Sequence, residues 1–70
     1  MRDWMKEKRI SRGFTQKQVA EALGITESYY GFIESGARQK RLDITIAAQL
    51  STLFRMPLGD IVALEAKEGG

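Results

Sequence analysis

Apolar side chains recur at three- and four-residue spacing along most of this chain. No strand-like alternation of apolar and polar residues runs longer than four positions. Five helices follow from that pattern. The first covers residues 3–12, with Asp3 placed to cap its start and Gly13 to stop it. Phe14 then leads into Thr15, which stands where it would cap a second helix over residues 16–23. A third covers residues 27–34 and closes at Ser35-Gly36. Asp43 is placed to cap a fourth, over residues 44–54, with Ile44, Ala47, Ala48, Leu50, Ser51 and Phe54 available to face inward. Arg55 and Met56 form a link. Pro57 suits the first turn of a fifth helix that carries Leu58, Ile61, Val62 and Leu64. Residues 67–70 make a tail expected to fray. The pattern predicts one all-α domain of five helices over residues 1–66, with no repeat and no low-complexity linker.

The second and third helices form a unit of their own. Val19, Ala20 and Leu23 make one inward stripe, Tyr30 and Ile33 make another, and Ile25 packs behind the turn between them. Gly24 admits the positive φ that a tight turn needs, and Thr26 is placed to cap the helix that follows. Ala20 is small where the two helices would cross at close range. Two amphipathic helices joined by a short glycine turn are the supersecondary unit that sets its second helix in the DNA major groove.

Composition narrows the chemistry. There is no cysteine, hence no disulfide and no thiolate metal site, and no histidine, the commonest general base and metal ligand. The acids show no inward pairing at catalytic spacing and no glycine-rich phosphate loop occurs, so the expected class is not an enzyme, with no metal and no cofactor. No apolar run approaches the roughly 20 residues of a membrane helix. The charged start, MRDWMKEKR, is helical in pattern rather than a secretory signal, which predicts a cytoplasmic setting. The net charge is only +2, but it is uneven: residues 1–41 hold nine Lys/Arg against five Asp/Glu, and residues 42–70 hold two against four. The helix-turn-helix lies in the cationic half, the half suited to a polyanion.

The residues Lys8-Arg9-Ile10, Gly13-Phe14-Thr15-Gln16, Val19-Ala20, Leu23-Gly24-Ile25 and Ile33-Glu34-Ser35-Gly36 together resemble the Cro/repressor-type, or Xre-like, helix-turn-helix family. The resemblance covers the first half directly and the second half in pattern. It implies a phage-repressor-like bundle and a bacterial or phage transcriptional regulator that binds double-stranded DNA as a dimer. Carried over by position, it implies that Gln16, with Lys17 beside it, contacts a backbone phosphate and that Tyr29 lies at the groove wall near phosphate. It implies also that Glu27, Ser28 and Phe32 face base edges, and that Arg9 pairs with Glu34 to tie the first helix to the end of the third. The chain departs from the family pattern in three places: Gly31 sits within the third helix, Phe32 is large and apolar, and the loop at residues 37–42 is longer than usual and lacks an Asn-Pro pair.

Several of these residues carry two readings. Glu27 either favours the helix dipole or accepts from a cytosine amino group, with Ser28 reading the neighbouring position. Phe32 is either core edge or an apolar contact to a thymine methyl. Gly31 is either a tolerated weak spot or an opening for a sugar-phosphate strand. Arg38, Lys40 and Arg41 are either a solvated loop or contacts to phosphate. Met1, Trp4 and Met5 read as core or interface packing. Leu58, Ile61, Val62 and Leu64 encircle more of the fifth helix than one small core would bury, which predicts a homodimer interface there, with Trp4 and Met1 as contributors. The leading expectation is a repressor on a two-fold operator, with no small-molecule ligand; in so short a chain, control by abundance is expected. A second class also fits: a protein-interaction adaptor or antitoxin that uses its apolar carboxyl-terminal helix.

Overall fold

The computed structural model describes residues 2–39 and 41–68. Met1, Lys40 and the two terminal glycines, each part of an expectation above, lie outside the described residues. Five helices follow in order: α1 (Asp3–Ser11), α2 (Gln16–Leu23), α3 (Glu27–Ser35), α4 (Ile44–Leu53) and α5 (Leu58–Glu68). All regular structure among the described residues is helical.

The helix-turn-helix forms for local reasons. Thr15 Oγ1 accepts from the Gln18 amide at 3.1 Å, and Gln18 Oε1 accepts from the Thr15 amide at 2.8 Å. This reciprocal capping box satisfies two donors that a bare helix start would orphan. Gly24, at φ 73°, ends α2, with the Ile25 amide donating to the Ala20 carbonyl and the Gly24 amide to that of Glu21. That pair of bonds is the Schellman stop, which a residue in left-handed conformation makes possible. Thr26 Oγ1 then accepts from the Tyr29 amide at 3.1 Å and starts α3. α2 and α3 pack against each other more extensively than any other helix pair, and Ala20 of α2 is buried.

The core gathers from every helix: Trp4 and Met5 of α1, Val19, Ala20 and Leu23 of α2, Tyr30 and Ile33 of α3, Ile46, Ala47 and Leu50 of α4, then Phe54, Met56 and Ile61. Phe14, Ile25, Tyr29, Leu42, Leu53 and Leu64 pack at its edge.

Four expectations need correction. Asp3 is the first residue of α1 rather than its cap; Arg2 occupies the cap position, with no side-chain capping bond. Asp43 does precede α4, but its side chain caps nothing, and its amide is instead taken by Gln39 Oε1 at 2.8 Å. Within α4 the inward stripe is Ile46, Ala47, Leu50 and on to Phe54, whereas Ala48 is exposed and Ile44 is 73% exposed. A helix apolar on nearly every side has no single stripe for periodicity to choose. At the far end, α5 continues through Lys67 and Glu68, two residues into the expected tail.

Candidate nucleic-acid interface

α3 presents two unlike sides. Tyr30, Ile33 and Glu34 are buried against the rest of the bundle. Glu27 and Ser28 are exposed in the first turn, and Phe32, four residues beyond Ser28 and so on the same face, is 48% exposed. Phe32 is therefore not a core residue.

What fixes the direction of this helix is a polar knot beneath it. Arg9 of α1 donates through Nε to Glu34 Oε2 at 2.9 Å and through Nη2 to Oε1 at 3.2 Å, a two-pronged ion pair. Arg9 Nη1 also donates to the Phe14 carbonyl at 3.0 Å, and Gln16 Nε2 donates to Glu34 Oε1 at 3.3 Å. Burial alone would raise the Glu34 pKa, but the hydrogen bonds from Arg9 and Gln16, with the Tyr30 hydroxyl beside it, outweigh it and hold the carboxyl below its usual range. The hydrogen bond to Glu34 raises Arg9 in turn. The Tyr30 hydroxyl is enclosed beside the carboxylate without a well-formed partner of its own, and burial, then Glu34, push its pKa well up. Gln16 reaches this knot from the first turn of α2. A Cβ built on Gly31 would meet the Gln16 Oε1 at 3.8 Å, an ordinary contact, so the fold has room for a side chain there.

The loop that follows α3 carries Arg38 and Arg41, both exposed; Lys17 of α2 is exposed as well. Its middle is held from inside. Tyr29 OH accepts from Gln39 Nε2 at 2.9 Å, and Gln39 adopts φ 55°. That left-handed conformation costs a residue with a side chain about 1–2 kcal/mol and persists where neighbours impose it. Arg2, only 3% exposed, supplies the main restraint: its guanidinium donates to the carbonyls of Ile33 at 2.6 Å, of Arg38 at 3.4 Å and of Gln39. The pattern of apolar positions held no sign of this arginine, of Gln39, or of the Glu65 carboxylate that binds Arg2 and Trp4 Nε1.

Of the four residues expected at a two-fold interface, one is withdrawn into the core. Ile61 is 1% exposed and belongs to the core, which removes it from any surface. Leu64 lines a shallow groove between α1 and α5 with Trp4 and Lys8. Leu58 and Val62 are exposed, Val62 at 62%.

Residues 5–61 match the family model described as helix-turn-helix. The chain belongs to the Xre-like helix-turn-helix family. A helix-turn-helix relative in Bacillus subtilis (strain 168), an uncharacterized HTH-type transcriptional regulator named YqaF, is 49% identical over 39 residues. That match covers 56% of this chain and 51% of the relative, so the chain spans about half the length of the curated protein it resembles. No solved structure matches this helix-turn-helix chain. No helix among the described residues is long and apolar enough to cross a membrane.

Proposed function

We propose that this protein is a sequence-specific, double-stranded-DNA-binding transcriptional regulator that represses by occupying a two-fold operator as a homodimer. The observation that carries the reading is the outer face of α3: Glu27, Ser28 and a half-exposed Phe32, on a helix capped at its start and pinned at its end, beside a loop with exposed arginines. A rigid helix with exposed readers at one end and cations beyond them fits the division between base contact and phosphate contact. α3 enters the major groove. Glu27 accepts from a cytosine amino group, Ser28 reads the neighbouring base, and Phe32 lies on a thymine methyl. Gln16, Lys17, Tyr29, Arg38, Lys40 and Arg41 hold the register on phosphates. Gly31 leaves space for the sugar-phosphate strand beside Gln16. The naming of the Bacillus relative as a transcriptional regulator supports the same reading.

One helix covers only a few base pairs, so discrimination across a genome calls for two copies, with recognition helices about 34 Å apart on a palindromic site. Leu58, Val62 and Leu64 supply the apolar part of that contact. Selection of bound sites from a random duplex pool tests the reading directly. The expected product is an inverted repeat whose binding weakens steeply with salt. Failure to enrich any sequence, with no retention on duplex DNA, would reject it. Val62→Glu should leave a folded monomer with weakened operator binding by light scattering; a variant that stays dimeric moves the interface elsewhere.

A further inference from the structure

Arg2 joins three parts of the fold at a single side chain. Its Nε donates to both oxygens of Glu65 in α5, at 2.9 and 3.0 Å, while Trp4 Nε1 of α1 donates to Glu65 Oε2 at 2.8 Å. The two terminal nitrogens reach the end of α3 at Ile33 and the loop carbonyls of Arg38 and Gln39. The backbone agrees with the side chain, since the Arg2 amide donates to the Glu34 carbonyl at 2.9 Å. A guanidinium buried this deeply requires a counter-charge, and Glu65 provides it. Only the planar, five-donor geometry of arginine serves a carboxylate and several carbonyls at once. Gln39, held on one side by this fork, reaches Tyr29 and the Asp43 amide with its own side chain.

We propose that Arg2 is a positioning residue for the phosphate-contacting loop, and that its ion pair with Glu65 makes α5 a determinant of DNA affinity without contact to DNA. Glu65 orients the fork, the fork fixes the Arg38 and Gln39 carbonyls, and the loop thereby presents Arg38 and Arg41 in one arrangement. A loop ordered in advance loses less freedom on binding than a mobile one. This inference rests on the reading of residues 37–42 as a phosphate contact.

The test uses the full chain with Arg2→Lys, which keeps the charge but loses the fork, and Glu65→Gln, which keeps the shape but loses the charge. Both are also placed on an Arg41→Ala background. Three quantities are read: tryptic cutting after Arg38 and Arg41 by mass spectrometry, duplex affinity across a salt series, and the melting curve. Loop cutting should rise severalfold in both variants. Affinity should fall about tenfold, roughly 1.4 kcal/mol, and the salt slope should become shallower by about one unit. On the Arg41→Ala background the same changes should cost clearly less, because the cation they position is gone. If Arg2→Lys unfolds, Glu65→Gln carries the comparison. Fully multiplicative losses, or unchanged affinity with raised loop cutting, would overturn the positioning role. Unchanged cutting in both variants while the parent binds duplex overturns it too. A parent that binds no duplex overturns the proposed function, and this role with it.

Discussion

The two halves of the molecule hold themselves together differently. From Asp3 to Gly36 the helices are set by directional bonds: a capping box, two glycine stops with Schellman bonding, and the Arg9–Glu34–Gln16 knot. From Ile44 onward they are set mainly by apolar packing of α4 and α5, apart from the bonded stop at Arg55 and the partly buried Glu65, which pairs with Arg2 from the other end of the chain. Directional bonds fix the angle of a helix as well as its position. The half that has to aim a helix carries them. Apolar packing tolerates exchange of one side chain for another of similar volume, and the supporting half relies on it.

The largest break in this contrast should come from Arg9→Ala. The Glu34 carboxylate would stay buried with only Gln16 and Tyr30 near it, and stranding a buried charge costs about 3–5 kcal/mol. Arg9 keeps some access to water, which places the expected loss near 3 kcal/mol. A thermal melt checks it, and a loss of only a degree or two would mean that the knot does not orient α3 by charge. Leu50→Ala, fully buried in α4, should cost a comparable 2–5 kcal/mol through its cavity. The two variants should differ in kind: Arg9→Ala disturbs DNA binding beyond its stability loss, and Leu50→Ala does not.

Acidity should separate the halves next. The folded Glu34 pKa is lowered, so its contribution is complete above the unfolded carboxylate value, about 4.3, and is lost as pH falls through the lower folded value. Tyr30 is raised, so its contribution is complete below about pH 10 and declines as pH rises above it. Denaturant midpoints across pH should therefore fall at both extremes in the parent. In Arg9→Ala the acid limb should flatten, because the carboxyl no longer gains from its charged form. An unchanged acid limb would place the acid sensitivity on other carboxylates.

On the outer face, Phe32→Ala should leave the melt within about 0.5 kcal/mol, as for a side chain half in water. It should relax preference at one or two base positions by about 1–3 kcal/mol. Arg41→Ala should instead weaken all duplexes alike and reduce the salt slope by about one unit. Competition with single-base variants of a selected site distinguishes the two. The smallest effect should follow Arg55→Gly. Arg55 closes α4 at φ 52°, with the Met56 amide bonded to the Ser51 carbonyl and Ser51 Oγ to that of Met56. Glycine accepts that conformation without strain, so stability should rise by up to about 1 kcal/mol by chemical denaturation.

The same contrast governs what could be read from the residues in order. Thr15, Gly24 and Thr26 act through bonds to neighbours three or four positions away, so their roles are local and visible. Tyr30 and Ile33 sit on a helix with one apolar side, and spacing alone places them. Ile44 and Ala48 were misplaced because α4 offers more than one apolar side, and only packing against α2 and α5 selects Ile46 instead. Arg55 stops a helix as glycine would, but its identity gives no warning. Ile61 looked like spare surface because the size of a core cannot be counted from one helix. Arg2 and Glu65, 63 positions apart, meet only because the fold brings both ends of the chain to the exit of α3. Family resemblance reached Arg9 and Glu34, whose pairing spans 25 positions; spacing could not have.

Gly31 has a consequence for how such a protein changes over generations. The fold leaves room at that position, and alanine would favour the helix by about 1 kcal/mol. Selection for folding alone would therefore favour alanine there, whereas the proposed close approach of a sugar-phosphate strand would favour glycine. Libraries sorted first for thermal endurance and then for operator capture should part company at residue 31, the first enriched in alanine and the second returning to glycine.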